Sequence, residues 1–352
     1  MASQALHVVT DTDRRGAQIF AEALGRQLAT EGHPVRLVAL AGGSRPSGLG
    51  VDVLGPSRLS VRSLHRLRSE LRGAGVVVGF GSSTLPAVTI ASAGTGVPFV
   101  YRSIGESAYW ANTPGRRIRV GAMLRRTSGV IALWQGAADD LVERYTLPPE
   151  RMHVIPRGVS TEEFPMRSAQ SRSESRAALG LDDGAPVVCA VGALAQEKNL
   201  GLAIDAVAAL PEVRLMLAGS GPEEAWLRRR AADVAPGRVV FLDAVEDVVP
   251  VYHAADSLLL TSTSEGMPGV VIEAGMCGVP TVATAVGAVP EMIVDGATGC
   301  VVPRSVGVTD LAEAVWTTLS QSDDLGAAMR ARCVERYEIG VVSLQWLRML
   351  EA

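Results

Sequence analysis

Lysine is almost missing from this 352-residue chain: of its 33 basic residues only Lys198 is a lysine, and the others are arginine. Abundant Ala, Gly and Arg are what a GC-rich coding bias leaves behind, so chance survival and a chemical requirement are both open readings of Lys198. The chemical reading is a site that needs a compact ammonium rather than a planar guanidinium fork. Cysteine is also scarce. Cys189, Cys277, Cys300 and Cys333 lie far apart with no C-x-x-C pair, which argues against a disulfide framework or zinc knuckle and for the reducing cytoplasm. No uninterrupted apolar run of roughly 18 residues occurs, which excludes a spanning helix. The opening MASQALHVVTD lacks the charged and apolar segments of an export signal, so no leader is expected. Basic charge is not in excess: 33 basic against 37 acidic residues gives a net charge of −4, which disfavours a nucleic-acid partner. The five histidines (His7, His33, His65, His153, His253) show no metal-ligand spacing, and neither a metal nor another cofactor is expected.

What is present is a two-part α/β rhythm. A length of 352 residues favours two domains at about 150 residues each. Continuous Val/Ile/Leu runs predict strands buried on both faces of parallel sheets, at Leu6–Val9, 35–39, 76–80, 99–103, 130–133 and 152–155, with amphipathic helices between them. Residues 160–186, rich in Ser, Glu and Arg, read as a linker with one short helix near residues 174–179. The rhythm then restarts, with strands at 187–191, 214–218, 239–242, 257–260, 281–283 and 300–302 and a final helical stretch from Thr309. The expected organisation is a first Rossmann-like domain over residues 1–160 and a second over 161–335. Two doubly wound domains imply a ligand cleft at the carboxyl ends of their strands. Gly73-Ala74-Gly75 and Gly79-Phe80-Gly81 do not complete a dinucleotide fingerprint before a helix, so a nicotinamide site is rejected.

The sharpest segment runs from Thr261 through Glu265-Gly266-Met267-Pro268-Gly269-Val270 and Glu273 to Pro280. It holds two carboxylates eight residues apart around a turn that opens onto a helix. The first free N–H groups of such a helix favour a phosphate, Glu273 one turn in reaches ribose hydroxyls, and Glu265 reaches a second polyol. The bland alternatives are a solvated helix residue for Glu273 and a helix-dipole partner for Glu265.

This segment resembles the E-x7-E signature of retaining glycosyltransferases of the GT-B fold, family 4. Its neighbours fit in order: Gly192-Ala193-Leu194-Ala195-Gln196-Glu197-Lys198-Asn199, then Gly219-Ser220-Gly221-Pro222, then Val286-Gly287-Ala288-Val289-Pro290-Glu291 and Asp295-Gly296-Ala297-Thr298-Gly299. The resemblance is strong over about residues 150–305 and weaker before, where Arg15-Gly16-Ala17 and 154–159 are recognisable. It implies that Glu265 and Lys198 act on the reacting sugar and leaving diphosphate. It implies a donor site built from Gly16, Gly192, Lys198, Gly219, Val245, Glu265, Gly266, Met267, Pro268, Gly269, Val270 and Glu273. The donor would be a UDP- or GDP-sugar, the acceptor a small molecule or lipid, and no metal would be needed. The resemblance also implies a tail helix over residues 336–352, carrying Trp346, that packs back on the first domain. Lys198 then has a reason: a fixed cation stabilises charge developing on the diphosphate.

The family pattern is broken at two places. An arginine is usual where Ala193 stands, and a histidine is usual near Ser103. Arg102 or Arg157 is a candidate for the missing charge, and Glu106 or Arg102 for a group near the reacting centre. Arg116, Arg117, Arg119, Arg125 and Arg126 form a basic patch that reads first as a solvated face, with an anionic membrane or acceptor as the alternative. The rival readings are a GT-B sugar-nucleotide epimerase or phosphorylase, and a catalytically silent nucleotide-binding protein favoured by Ala193.

Overall fold

The computed structural model describes residues 4–44, 48–105, 113–181 and 184–351. Contacts divide the chain into two units, one running to Gly158 and resuming at Ile339, the other from Val159 to Glu338.

Unit 1 is a seven-stranded sheet. Its strands are β1 (Gln4–Val9), β2 (Val35–Ala39), β3 (Asp52–Val53), β4 (Ala74–Phe80), β5 (Phe99–Arg102), β6 (Gly129–Ala132) and β7 (Met152–Val154). They pair in the order β3-β2-β1-β4-β5-β6-β7, every pair parallel. Its helices are α1 (Gly16–Thr30), α2 (Val61–Glu70), α3 (Thr84–Ser92), α4 (Pro114–Leu124) and α5 (Gln135–Tyr145). Strand residues alternate between two apolar layers: Leu6, Val8 and Val77 in one, Val9 and Val78 in the other. That is why the strands read as unbroken apolar runs. The two-residue edge strand β3 is exposed and escapes such a reading.

Unit 2 has six parallel strands, β8 (Val187–Val191), β9 (Arg214–Ala218), β10 (Val239–Phe241), β11 (Ser257–Leu260), β12 (Thr281–Thr284) and β13 (Gly299–Val302). Their order is β10-β9-β8-β11-β12-β13. Around them lie α6 (Ala169–Ala178), α7 (Leu200–Ala208), α8 (Glu224–Val234), α9 (Val249–Ala254), α10 (Gly269–Met276), α11 (Val289–Met292), α12 (Val308–Ser320) and α13 (Ser322–Tyr337). The last helix, α14 (Ile339–Glu351), belongs to unit 1. Ile339, Val342 and Trp346 fill the same apolar layer as Phe20 and Phe80.

One sequence expectation is corrected and another is resolved in more detail. The segment read as a linker carries a full ten-residue helix, α6, closed by reciprocal bonds between Ser168 and Ser171. Its anchor is ionic, with Arg172 and Arg176 on Asp256, so no apolar periodicity announces it. The final helical stretch divides into three helices, with breaks at Gln321 (φ −126°, ψ 21°) between α12 and α13 and at Glu338, extended (φ −61°, ψ 137°), between α13 and α14. Among the described residues no helix is long and apolar enough to cross a membrane.

Candidate nucleotide-sugar site

Strand order reverses between β8 and β11 in unit 2, and at such a switch point the loops leaving neighbouring strands diverge and open a crevice. The loop after β8 holds residues 192–198 and the one after β11 holds residues 261–268. Hydrogen bonds to backbone carbonyls tie them together. Thr261 Oγ1 donates to the carbonyl oxygens of Lys198 and Asn199 at 2.9 and 3.0 Å, and the Thr263 N–H to that of Glu197 at 2.8 Å.

These bonds bring the lone lysine to the first glutamate. Lys198 Nζ lies 2.6 Å from Glu265 Oε1, and Ser262 Oγ donates to the same oxygen at 2.6 Å. Both side chains are partly covered, 23% and 12% exposed, so the ion pair is only partly screened by water. Four residues further on, α10 begins at Gly269 behind Pro268, with no side-chain cap and no acidic residue in its first turn. Its leading N–H groups lack a capping side chain, the arrangement that receives an anion. Glu273, one turn in, accepts a hydrogen bond on Oε2 from the buried Tyr252 hydroxyl at 3.0 Å. Burial, reinforced by the Glu273 charge, pushes the Tyr252 hydroxyl well above its ordinary value, so it remains a donor.

Glycines set the loop geometry. Gly192 and Gly219 have φ of +144° and +143°, and a Cβ on Gly219 would fall 1.8 Å from the Gly192 carbonyl oxygen. A Cβ on Gly287 would fall 2.2 Å from the carbonyl oxygens of Glu265 and Gly266, and the Ala288 N–H donates to the latter at 2.8 Å. The motif glycines therefore let one loop lie against the next.

In unit 1, α1 starts at Gly16 without a side-chain cap. The place where a Gly16 Cβ would stand is 3.5 Å from Arg157 Nη1. Arg102 is 2% exposed, its guanidinium carbon 4.1 Å from the centre of the Phe20 ring, a cation–π contact. Its Nε and Nη2 have no hydrogen-bond partner among the described residues. Burial, with the like charge of Arg157, pushes Arg102 down to about 9. Asp11 is saturated by Arg15, Gln18 and Arg58.

The structure thus joins Lys198, Glu265 and the turn into α10, with Glu273 on that helix. Gly16, Arg102 and Arg157 cluster in unit 1. Val245 is an exposed residue of the loop after β10, and Glu106 lies outside the described residues. Among the described residues no three His, Cys, Asp or Glu side chains come together as a metal site would require. Ser262 and Tyr252 were missed. Ser262 carries a local signal, a hydroxyl three residues before a glutamate; Tyr252 carries none, being 21 positions from Glu273.

Two family models match the chain: "Glycosyltransferase Family 4" over residues 14–163 and "Glycosyl transferases group 1" over residues 185–321. The D-inositol 3-phosphate glycosyltransferase of Mycobacterium sp. (strain KMS) is 37% identical over 207 residues, 56% of this chain. The match spans 45% of that relative's length. The alpha-maltose-1-phosphate synthase of Mycolicibacterium smegmatis is 28% identical over 283 residues, covering 72% of this chain and 73% of that protein. Among solved structures, Anabaena Alr3699/HepE in complex with UDP aligns with a TM-score of 0.87 over 99% of each chain at 20% identity. WaaG, a glycosyltransferase involved in lipopolysaccharide biosynthesis, aligns at 0.74 over 98% of each, also at 20% identity. At that identity the likeness is one of fold. With both halves matched by models and the fold shared end to end, the chain belongs to glycosyltransferase family 4, the glycosyl transferases of group 1, built on the GT-B fold.

Proposed function

We propose that the protein is a retaining glycosyltransferase that moves a sugar from a UDP- or GDP-sugar to a small-molecule or lipid acceptor, without a metal. The observation that carries this reading is the Lys198–Glu265 pair at the mouth of the uncapped helix α10. The donor diphosphate is held by the first N–H groups of α10 and by the Lys198 ammonium, Glu265 and the Met267 turn face the sugar, and Glu273 holds the ribose. Tyr252 and Ser262 keep the two carboxylates oriented.

When the bond between the anomeric carbon and the phosphate oxygen breaks, its electron pair goes to the diphosphate. The ammonium and the helix terminus meet that charge without reorganising. The acceptor hydroxyl bonds to the anomeric carbon on the face the leaving group vacates, and its proton passes to the departing phosphate oxygen. No strong protein base is needed, which makes the absence of a histidine near Ser103 tolerable. Ala193 removes one cation from the family's phosphate clamp, and Arg102 and Arg157 of unit 1 are the groups proposed to supply it. UDP is favoured as the nucleotide because the Alr3699/HepE structures hold UDP and UDP-glucose.

Incubation with UDP- and GDP-sugars in the absence of acceptor tests this reading through slow release of the nucleotide. Lys198→Ala is expected to lower turnover roughly 10²–10³-fold. Nucleotide binding without any turnover would instead favour the silent nucleotide-binding protein that Ala193 suggests. If single substitutions of Arg102 and Arg157 both leave donor use unchanged, the compensation for Ala193 fails.

A further inference from the structure

Charge is segregated along the chain. Residues 53–138 hold eleven arginines, no lysine and two acidic residues, a net charge of +9 in a chain of net −4, so the remainder carries −13. The fold gathers that excess on one face of unit 1. Leu67 of α2, Leu85 and Val88 of α3, and Val120 and Leu124 of α4 share one apolar layer against the sheet. The opposite layer holds Phe20 and Leu24 of α1. The outer surfaces of α2, α3 and α4 therefore form a single face, roughly 20 Å from the first helix axis to the third at neighbour spacings of 8–10 Å.

Arginines frame this face and an uncharged ridge crosses it. The exposed residues of α2 include Arg62, Arg66 and Arg68, and those of α4 and the turn after it include Arg116, Arg119 and Arg126. None of these six has an acidic partner among the described residues. Glu70, the acidic residue of α2, is taken by Arg36 of β2 at 2.6 Å, and on the neighbouring α5 Asp140 is taken by Arg144 at 2.9 Å. Between the two basic helices, α3 has no charged residue, and Arg68 holds its end through the carbonyl oxygens of Ala91 and Ala93, each at 2.9 Å. Ile90 of α3 is 54% exposed and Ile118 of α4 is 72% exposed. On α4, Val120, Gly121 and Leu124 turn inward, and the helical period of about 3.6 residues then sets Ile118, Arg119 and Ala122 outward together.

Like charges without counter-ions repel one another and favour a polyanion that covers them. Isoleucines exposed beside them gain only where that polyanion also offers an apolar boundary, which a lipid surface does and a nucleic-acid backbone does not. We infer that this face docks on a membrane surface rich in anionic lipid, with the arginines at the headgroups and Ile90 and Ile118 in the acyl boundary beneath them. The unit lies on such a surface rather than crossing it. The inference goes beyond sugar transfer and does not rest on it.

Co-sedimentation of the full chain with phosphatidylcholine vesicles carrying about 30% phosphatidylglycerol is the test. Binding is expected in about 0.05 M NaCl, and it should be lost in about 0.5 M NaCl and with phosphatidylcholine alone. The pair Arg119→Glu and Arg126→Glu, at exposed positions that the fold tolerates, should weaken binding at least about tenfold. The same reversal at the exposed Arg229 and Arg304 of unit 2 should leave most of it. Ile118→Ser should weaken it at least about threefold. Absence of salt-sensitive binding overturns the inference, as does equal weakening by the two charge-reversed pairs or unchanged binding in Ile118→Ser. Release of the chain from the vesicles by poly(U) RNA at equal phosphate concentration would make the face a nucleic-acid surface and overturn it too.

Discussion

His7 is a core residue with a titratable ring. It is fully buried, its ring centre 5.0 Å from that of Phe80 and 6.2 Å from that of Trp346. Burial is the main reason its imidazole is pushed down from 6.5 to about 4, and the nearby Arg102 cation adds to it. The folded state therefore binds fewer protons than the unfolded chain between those two values. Stability is complete above pH 6.5 and falls as the pH drops towards 4. Urea unfolding at pH 7 and pH 5 is expected to show a loss of about 2 kcal/mol at the lower pH from this residue. His7→Leu should lack that part of the loss; an identical pH response in the variant would contradict the assignment. The cysteines follow the same logic in the opposite direction. Burial pushes Cys277 and Cys333 up to about 12, so they are neutral core groups at any working pH.

At the scale of elements, the proposed donor site is built from loops leaving strand ends and from the glycines that let them touch. Gly287→Ala would set a methyl against the carbonyls of Glu265 and Gly266 and displace the turn that orients Glu265. The variant is expected to fold with a lower Tm and to raise KM for the donor about tenfold; an unchanged KM would mean that this contact does not position the turn. Elements also separate what the sequence discloses from what it hides. Lys198, Glu265 and Glu273 were legible because each lies in a short contiguous pattern whose spacing has a chemical meaning. The strand positions were legible because both faces of each sheet are apolar. Tyr252 on Glu273 was not, since a partner on a distant helix leaves no local trace. Nor was α6, because arginines on Asp256 hold it and a polar helix with an ionic anchor looks like a linker. Arg102 could be named, but nothing in its neighbours foretold that it would lie over Phe20 with Nε and Nη2 unpaired among the described residues.

For the whole molecule, the chain leaves unit 1 at Gly158, builds unit 2, and comes back with α14 to complete the unit 1 core. Trp346 is fully buried there, stacked on Phe80 at 5.9 Å between ring centres. Trp346→Ala is expected to cost about 3–5 kcal/mol, measured by denaturant unfolding; a cost below about 1 kcal/mol would mean that the tail is dispensable to that core. Each unit also presents an uncapped helix start, α1 in one and α10 in the other, the latter beside the only lysine in the chain. Crystals grown with UDP or GDP test the proposed donor site most directly. The expected result is a diphosphate within hydrogen-bond distance of Lys198 Nζ and of the Gly269 and Val270 N–H groups, with the ribose on Glu273. A nucleotide bound elsewhere, or none in that position at saturating concentration, would contradict it.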